Sequence, residues 1–173
     1  PCGYDDYAPK LPSVLPSATR SMGGFSSGGW TGTIPTEFGL LTGVESLQLQ
    51  LNELTGTVPT ELGQLREVTD YFRLNDNDLT GAIPTELGEH GKIRSYFMLD
   101  ANEFTAAIPS ELGRLVNVTT GFYLQSNQVC GDIPTEVEAL SSGVTDHWSV
   151  TAGNALLGTP CGYDDYYPKL PSV

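Results

Sequence analysis

Positive charge is scarce in this 173-residue chain: eight Lys and Arg stand against 21 Asp and Glu, for a net charge of −13. Phosphate recognition needs clustered cations, so nucleic acid and anionic membrane surfaces are poor partners for it. Long apolar runs are missing as well. No stretch approaches the roughly 20 apolar residues that cross a bilayer, so no membrane insertion is expected in this segment. Histidine and cysteine are rare, with His90, His147, Cys2, Cys130 and Cys161 the full set. None of them is paired at a spacing that suits zinc, and no metal or cofactor is expected. What is plentiful is Gly and Pro, at 20 and 12 residues, the mark of a chain with many turns.

Two internal repetitions stand out. The first is of whole ends: "PCGYDDYAPKLPSV" at Pro1 recurs as "PCGYDDYYPKLPSV" at Pro160, with Ala8 replaced by Tyr167. The second is short and regular. "TGTIPTEFGLL" at Thr31 is followed by "TGTVPTELGQL", "TGAIPTELGEH", "TAAIPSELGRL" and "CGDIPTEVEAL", whose prolines are Pro35, Pro59, Pro84, Pro109 and Pro134. A second motif precedes four of them, and its asparagines Asn52, Asn77, Asn102 and Asn127 are evenly spaced. A period this constant predicts a solenoid.

The residue types say what each coil contains. Alternation around Leu47 and Leu49, Phe72 and Leu74, Phe97 and Leu99, and Phe122 and Leu124 predicts a short strand with these side chains inward. The next inward position is Asn, which needs partners when buried. One Asn per coil, stacked, can serve the backbone where the strand turns away. Thr-Gly then suits a tight turn. Pro-x-Glu-Leu-Gly-x-Leu reads as a short helical turn with Pro at its start and an acid near the positive end of the helix dipole.

The pattern L-x-L-x-x-N-x-L-T-G-x-I-P-x-x-L-G-x-L resembles the plant-type leucine-rich repeat, over about residues 22–159. The resemblance implies an α/β fold: a right-handed solenoid of five to six coils, each of roughly 24–25 residues. It also implies a parallel sheet on the concave face and short 3-10 helices on the convex face. "MGGFSSGGWTGTIP", with Phe25 and Trp30, aligns with a degenerate first coil, and "HWSVTAGNALLGTPC", with Trp148, Val150 and Asn154, with a degenerate last one. Residues 1–21 then form a Pro-rich connector beginning with the end of a preceding unit, and residues 160–173 start the next connector.

A bridge between Cys130 and Cys161 would staple the last coil. Cys2 is the copy of Cys161, so its partner would be the Cys130 equivalent of a preceding unit. Such bridges point to an oxidising, extracellular or cell-surface setting, against the alternative of three free thiols. Asn117-Val118-Thr119 is a sequon for N-glycosylation, and the Pro-flanked Ser and Thr of the connector are candidate O-glycan sites.

Signs of catalysis are weak. Gly24-Phe25-Ser26-Ser27-Gly28 matches a nucleophile-elbow pattern, but it sits in a Gly-rich end with no His or acid in a matching position. The chain is not expected to be an enzyme. Glu37, Glu61, Glu86, Glu111 and Glu136 form a column of acids, either attracting a cation or, the plainer reading, each serving its own helix start. Outward strand positions Gln48, Tyr71, Arg73, Tyr96, Met98, Asp100, Tyr123 and Gln125 form the candidate binding surface of the concave face. A Thr-x-Thr array there would suggest ice binding, but these positions do not repeat.

Two functions follow as expectations. One is structural: a unit of a tandem array building a fibre, cell-surface or adhesive assembly with copies of itself or adjacent units as partners, since head-to-tail contacts without closure make filaments. The other is recognition: an ectodomain or secreted inhibitor holding an extracellular peptide, glycan or protein on its concave face.

Overall fold

The computed structural model describes residues 10–12 and 21–162. Each coil contributes a short strand: Leu47–Gln48, Tyr71–Arg73, Tyr96–Met98, Gly121–Tyr123 and His147–Ser149. The five pair in parallel and in chain order, forming the concave sheet. Its inward side is apolar and closed to water: Leu47, Phe72, Phe97 and Phe122, and likewise Leu49, Leu74, Leu99 and Leu124, are fully buried. A parallel ladder in register brings like residues of successive coils about 4.8 Å apart. The rings of Phe72, Phe97 and Phe122 therefore stack at 5.4 Å, and Trp148 continues the stack at 5.0 Å from Phe122.

Each strand ends where one residue enters the left-handed region. These residues are Leu51, Asp76, Ala101 and Ser126, with φ of 58°, 54°, 51° and 56°. None is Gly, so each carries a steric cost of about 1 kcal/mol or more. The Asn that follows holds the turn. Nδ2 of Asn102 donates to the carbonyls of Leu74 and Leu99, and its Oδ1 accepts from the Leu79 N–H. Asn77 and Asn127 repeat this pattern one coil away on either side. Asn154 extends the ladder into the degenerate last coil, bonding the carbonyls of Leu124 and Val150.

A second parallel sheet differs from the sequence reading. Thr-Gly, read as a tight turn, lies inside a strand: Thr31–Thr33, Glu53–Thr57, Asp78–Ala82 and Glu103–Thr105 form a four-stranded sheet. Gly32, Gly56 and Gly81 have φ of 83°, 75° and 78°, so they bend the strand around the core without reversing it. Lys10 pairs with Thr31 at one edge, Cys130 with Ala107 at the other, and Leu156–Leu157 with Cys130–Gly131 beyond.

The opposite side carries 3-10 helices over Thr36–Leu40, Thr60–Gln64, Thr85–Glu89 and Ser110–Arg114. Pro35, Pro59, Pro84 and Pro109 occupy the position before each helix, in extended conformation. The Gly of Glu-Leu-Gly has a packing cause. A Cβ on Gly39, Gly63, Gly88 or Gly113 would collide with the backbone of Glu61, Glu86, Glu111 or Glu136 in the next coil. In the last such coil the equivalent residue is Glu138, exposed, and there the helix is α, Thr135–Glu138. Among the described residues no further helix of this column stacks there, and the small residue is not needed. Among the described residues no helix is long and apolar enough to cross a membrane.

Candidate functional site: the concave face

Strand register sorts the outward concave residues into three columns. Ser46, Tyr71, Tyr96, Gly121 and His147 form the first, and Gln48, Arg73, Met98, Tyr123 and Ser149 the second. Gln50, Asn75, Asp100 and Gln125, one residue beyond the second inward Leu, form the third.

The first two columns make a continuous aromatic surface. Tyr71 and Tyr96 stack at 5.9 Å with their planes 17° apart. Arg73 lies over both rings, 4.3 Å from one centroid and 4.8 Å from the other. Gly121 interrupts the aromatic column, and the ring of Tyr123 fills its place: a Cβ on Gly121 would lie 2.5 Å from Tyr123 Cε2 and 2.8 Å from Tyr96 Cδ1. Tyr123 then stacks on His147 at 6.0 Å. The tyrosines, Arg73 and Met98 are half-buried and His147 is exposed.

The third column is polar and short of partners. Gln50 Oε1, Asn75 Oδ1, Asp100 Oδ1 and Gln125 Oε1 are each withdrawn from solvent without a hydrogen-bond donor among the described residues, and the Nε–H of Arg73 beside them lacks an acceptor there. Buried polar atoms are normally satisfied, so a row of four at one coil position is unusual. Burial, with a smaller contribution from Asp76, pushes the Asp100 carboxyl up to about 6. Burial and then the neighbouring Tyr96 and Asp100 push the Tyr123 phenol up.

All eight concave residues read from the sequence thus share one face. That reading missed Gln50, Asn75 and His147. The first two have a signal, since residues 50, 75, 100 and 125 are all amide or acid at the repeat spacing.

The other candidates fall elsewhere. Cys130 and Cys161 are joined by a disulfide, and Cys2 lies outside the described residues, as do the connector's O-glycan candidates. Asn117 is exposed and donates to the Gly91 carbonyl at 2.6 Å. The repeated glutamates make no side-chain bond to their helix starts, each accepting instead from the preceding Thr or Ser hydroxyl at 3.2–3.5 Å. Among the described residues no group of three His, Cys, Asp or Glu is placed to hold a metal ion. Ser26 and Ser27 lie next to a short 3-10 turn at Gly23–Phe25.

His90 proves to be a core residue. It takes the place that Leu65 and Leu115 hold in neighbouring coils, fully buried, with its ring 4.7 Å from Phe72 and Nδ1 3.1 Å from the Leu65 carbonyl. Burial lowers its pKa to about 4.

The fold has many solved counterparts. The ectodomain of the plant membrane receptor kinase GASSHO1/SCHENGEN3 from Arabidopsis thaliana, solved with Casparian strip integrity factor 2, is 30% identical with a TM-score of 0.69. The match covers 82% of this chain and 16% of that one. The chain is a plant-type leucine-rich repeat protein. The plant peptide hormone receptor RGFR1, in complex with RGF2, is 31% identical over 70% of the leucine-rich repeat chain and 19% of its own, with a TM-score of 0.62. A plant ice-binding protein is 26% identical over 75% of this repeat chain and 42% of its own, with a TM-score of 0.61. The repeat chain therefore spans less than a fifth of the two receptor ectodomains. No family model and no curated protein matches it.

Proposed function

We propose that the protein is an extracellular, non-catalytic recognition module whose concave sheet binds a peptide, glycan or protein partner. One observation carries this reading: a stacked aromatic surface runs beside a column of four oxygens that lack donors. Aromatic area supplies binding energy at low entropic cost, and unsatisfied acceptors supply orientation. A ligand with a row of N–H or O–H donors, such as an extended peptide backbone or a chain of sugar hydroxyls, would satisfy that column. The similar receptor solved with RGF2 supports a peptide. The disulfide, the sequon and the ectodomain neighbours support an extracellular setting. Ice binding draws little support, because the register of the second sheet runs Thr33 and Thr55 into Asp78, and Thr57 and Thr80 into Glu103, so neither row of Thr continues along the sheet. The test is a panel of random extended peptides and soluble oligosaccharides, screened against the chain and against Tyr96→Ala/Tyr123→Ala. Binding that disappears in the double variant supports the concave site. Equal binding by both proteins removes it.

A second reading, one unit of a tandem array, is favoured by the duplicated end segment. Electron microscopy of native, unreduced protein tests it: regular fibres support the array, and discrete particles refute fibre formation.

A further inference from the structure

We infer that the duplicated segment is a joint whose two halves serve different solenoids. Its Cys closes the C-terminal end of one unit, and its Lys-Leu pair closes the N-terminal end of the next. This deepens the array reading and rests on it. Each half is seen at work once. In the second copy Cys161 is bonded to Cys130, fastening the strand Leu156–Leu157 and its following turn onto the last coil. In the first copy Lys10 pairs with Thr31 at the open edge of the second sheet, and Leu11, only 7% exposed, joins the core. Both ends of a solenoid expose core unless covered. The segment contains the cover for each end close together in sequence, at Cys2 and Lys10 and again at Cys161 and Lys169.

Spacing decides that the two covers cannot belong to one continuous solenoid. Neighbouring rungs of the second sheet lie a full coil apart in sequence, as from Lys10 to Thr31 or from Cys130 to Leu156. From Leu156 to Lys169 is only about half that distance. Half a coil cannot encircle the core, so Lys169 and Leu170 cannot form the rung after Leu156–Leu157. They can supply the first rung of another solenoid. The eight steps from Cys161 to Lys169 span at most about 27 Å, which sets consecutive units end to end with little slack. The solenoid on the far side of each joint is therefore a second copy of this chain's own sequence.

Removing one cover on the full-length chain tests the inference. In Cys161→Ser, Cys130 loses its partner and Cys2 is the remaining equivalent. In a glutathione redox buffer the two thiols give up two protons and two electrons to oxidised glutathione, which leaves as two reduced thiols. The expected product is a bridge from Cys2 of one molecule to Cys130 of another. It appears as a ladder of linked chains on a non-reducing gel. In a mixture of ¹⁴N and ¹⁵N protein it appears as cross-linked peptides carrying both labels. Cys2→Ser/Cys161→Ser should remain monomeric. The inference is overturned if both thiols of Cys161→Ser stay free, or if only same-label bridges form. The second outcome is a real alternative, because Lys10 and Cys130 are five rungs apart, about 24 Å, within the reach of eight residues. Should Cys161→Ser fold poorly, a synthetic peptide of the first copy, Pro1 to Val14, added to Cys2→Ser/Cys161→Ser reads the same exchange. It should couple to Cys130 and raise Tm, and no coupling counts against the joint. Fibres in native material together with a negative exchange would discard the joint and keep the array.

Discussion

The same short strands present two different surfaces. Inward, Phe72, Phe97 and Phe122 recur once per coil, stacked at one spacing. Outward, the residues beside them are Tyr71, Tyr96 and Gly121, or Arg73, Met98 and Tyr123. The inner surface repeats because each coil must match the coil above and below, so one solution is copied. The outer surface packs under no further layer, so its contacts between coils, Tyr71 on Tyr96 or Tyr123 on His147, need not repeat and are free to vary. Repetition here marks packing, and its loss marks the surface proposed to meet a partner.

Substitutions can break this contrast or sharpen it. The largest loss of stability belongs inside, at Asn102→Leu. The Leu79 N–H would be left buried without a partner, and the Leu74 and Leu99 carbonyls would each lose one of two amide donors, keeping those of Asn77 and Asn127, at a cost of about 3 kcal/mol in all. Thermal unfolding should show Tm lower by roughly 10 °C. Gly88→Ala comes next. Its Cβ would collide with the Glu111 backbone, and the coils can separate only by disturbing the helix column, so a cost of about 1–3 kcal/mol is expected in denaturant unfolding. An unchanged midpoint would show that the helix column yields freely.

His90 tests the interior by pH. Its pKa is lowered in the fold to about 4 from 6.5, so the unfolded chain binds the proton first. Stability is full above 6.5 and is lost as pH falls towards 4. His90→Leu, matching Leu65 and Leu115, should flatten that part of the stability profile and raise Tm at pH 5. Asp100 runs the other way. Its pKa is raised to about 6 from 3.8, so its burial is harmless below 3.8 and destabilising as pH rises through 6. Asp100→Asn should therefore be more stable than the parent at pH 7 and no different at pH 3.5. The smallest effect on stability belongs outside, at Tyr96→Ala/Tyr123→Ala, where Tm should move least of all while ligand capture is lost. A Tm loss as large as that of Asn102→Leu would mean the tyrosines pack the fold and are not a binding surface.

The inner half of the molecule was legible in the sequence. Asn at fixed spacing, and Trp148 and Asn154 in the degenerate last coil, declare their places because a solenoid core repeats with the chain. His90 was not legible as core, because a lone imidazole at a Leu position looks polar until its neighbours are known. Thr-Gly was misread as a turn, since a Gly at positive φ bends a strand as readily as it closes one. On the concave face eight residues could be placed on one side of a sheet by alternation alone. The polar column of Gln50 and Asn75 could be found by period, but its lack of donors could not.

By itself the sequence determined the coil, its strand, its Asn turn and its short helix, because each is a local pattern repeated at constant period. It also determined that residues 1–14 and 160–173 are one segment written twice with a single change. Only the tertiary structure decided what lies between coils. The Gly of each helix answers the next coil's Glu backbone, Tyr123 leans into the gap left by Gly121, and Lys10 and Leu11 close the end opposite to Cys161. These are contacts between residues a coil apart in sequence or across a missing side chain, and distance in space is not written in any local pattern.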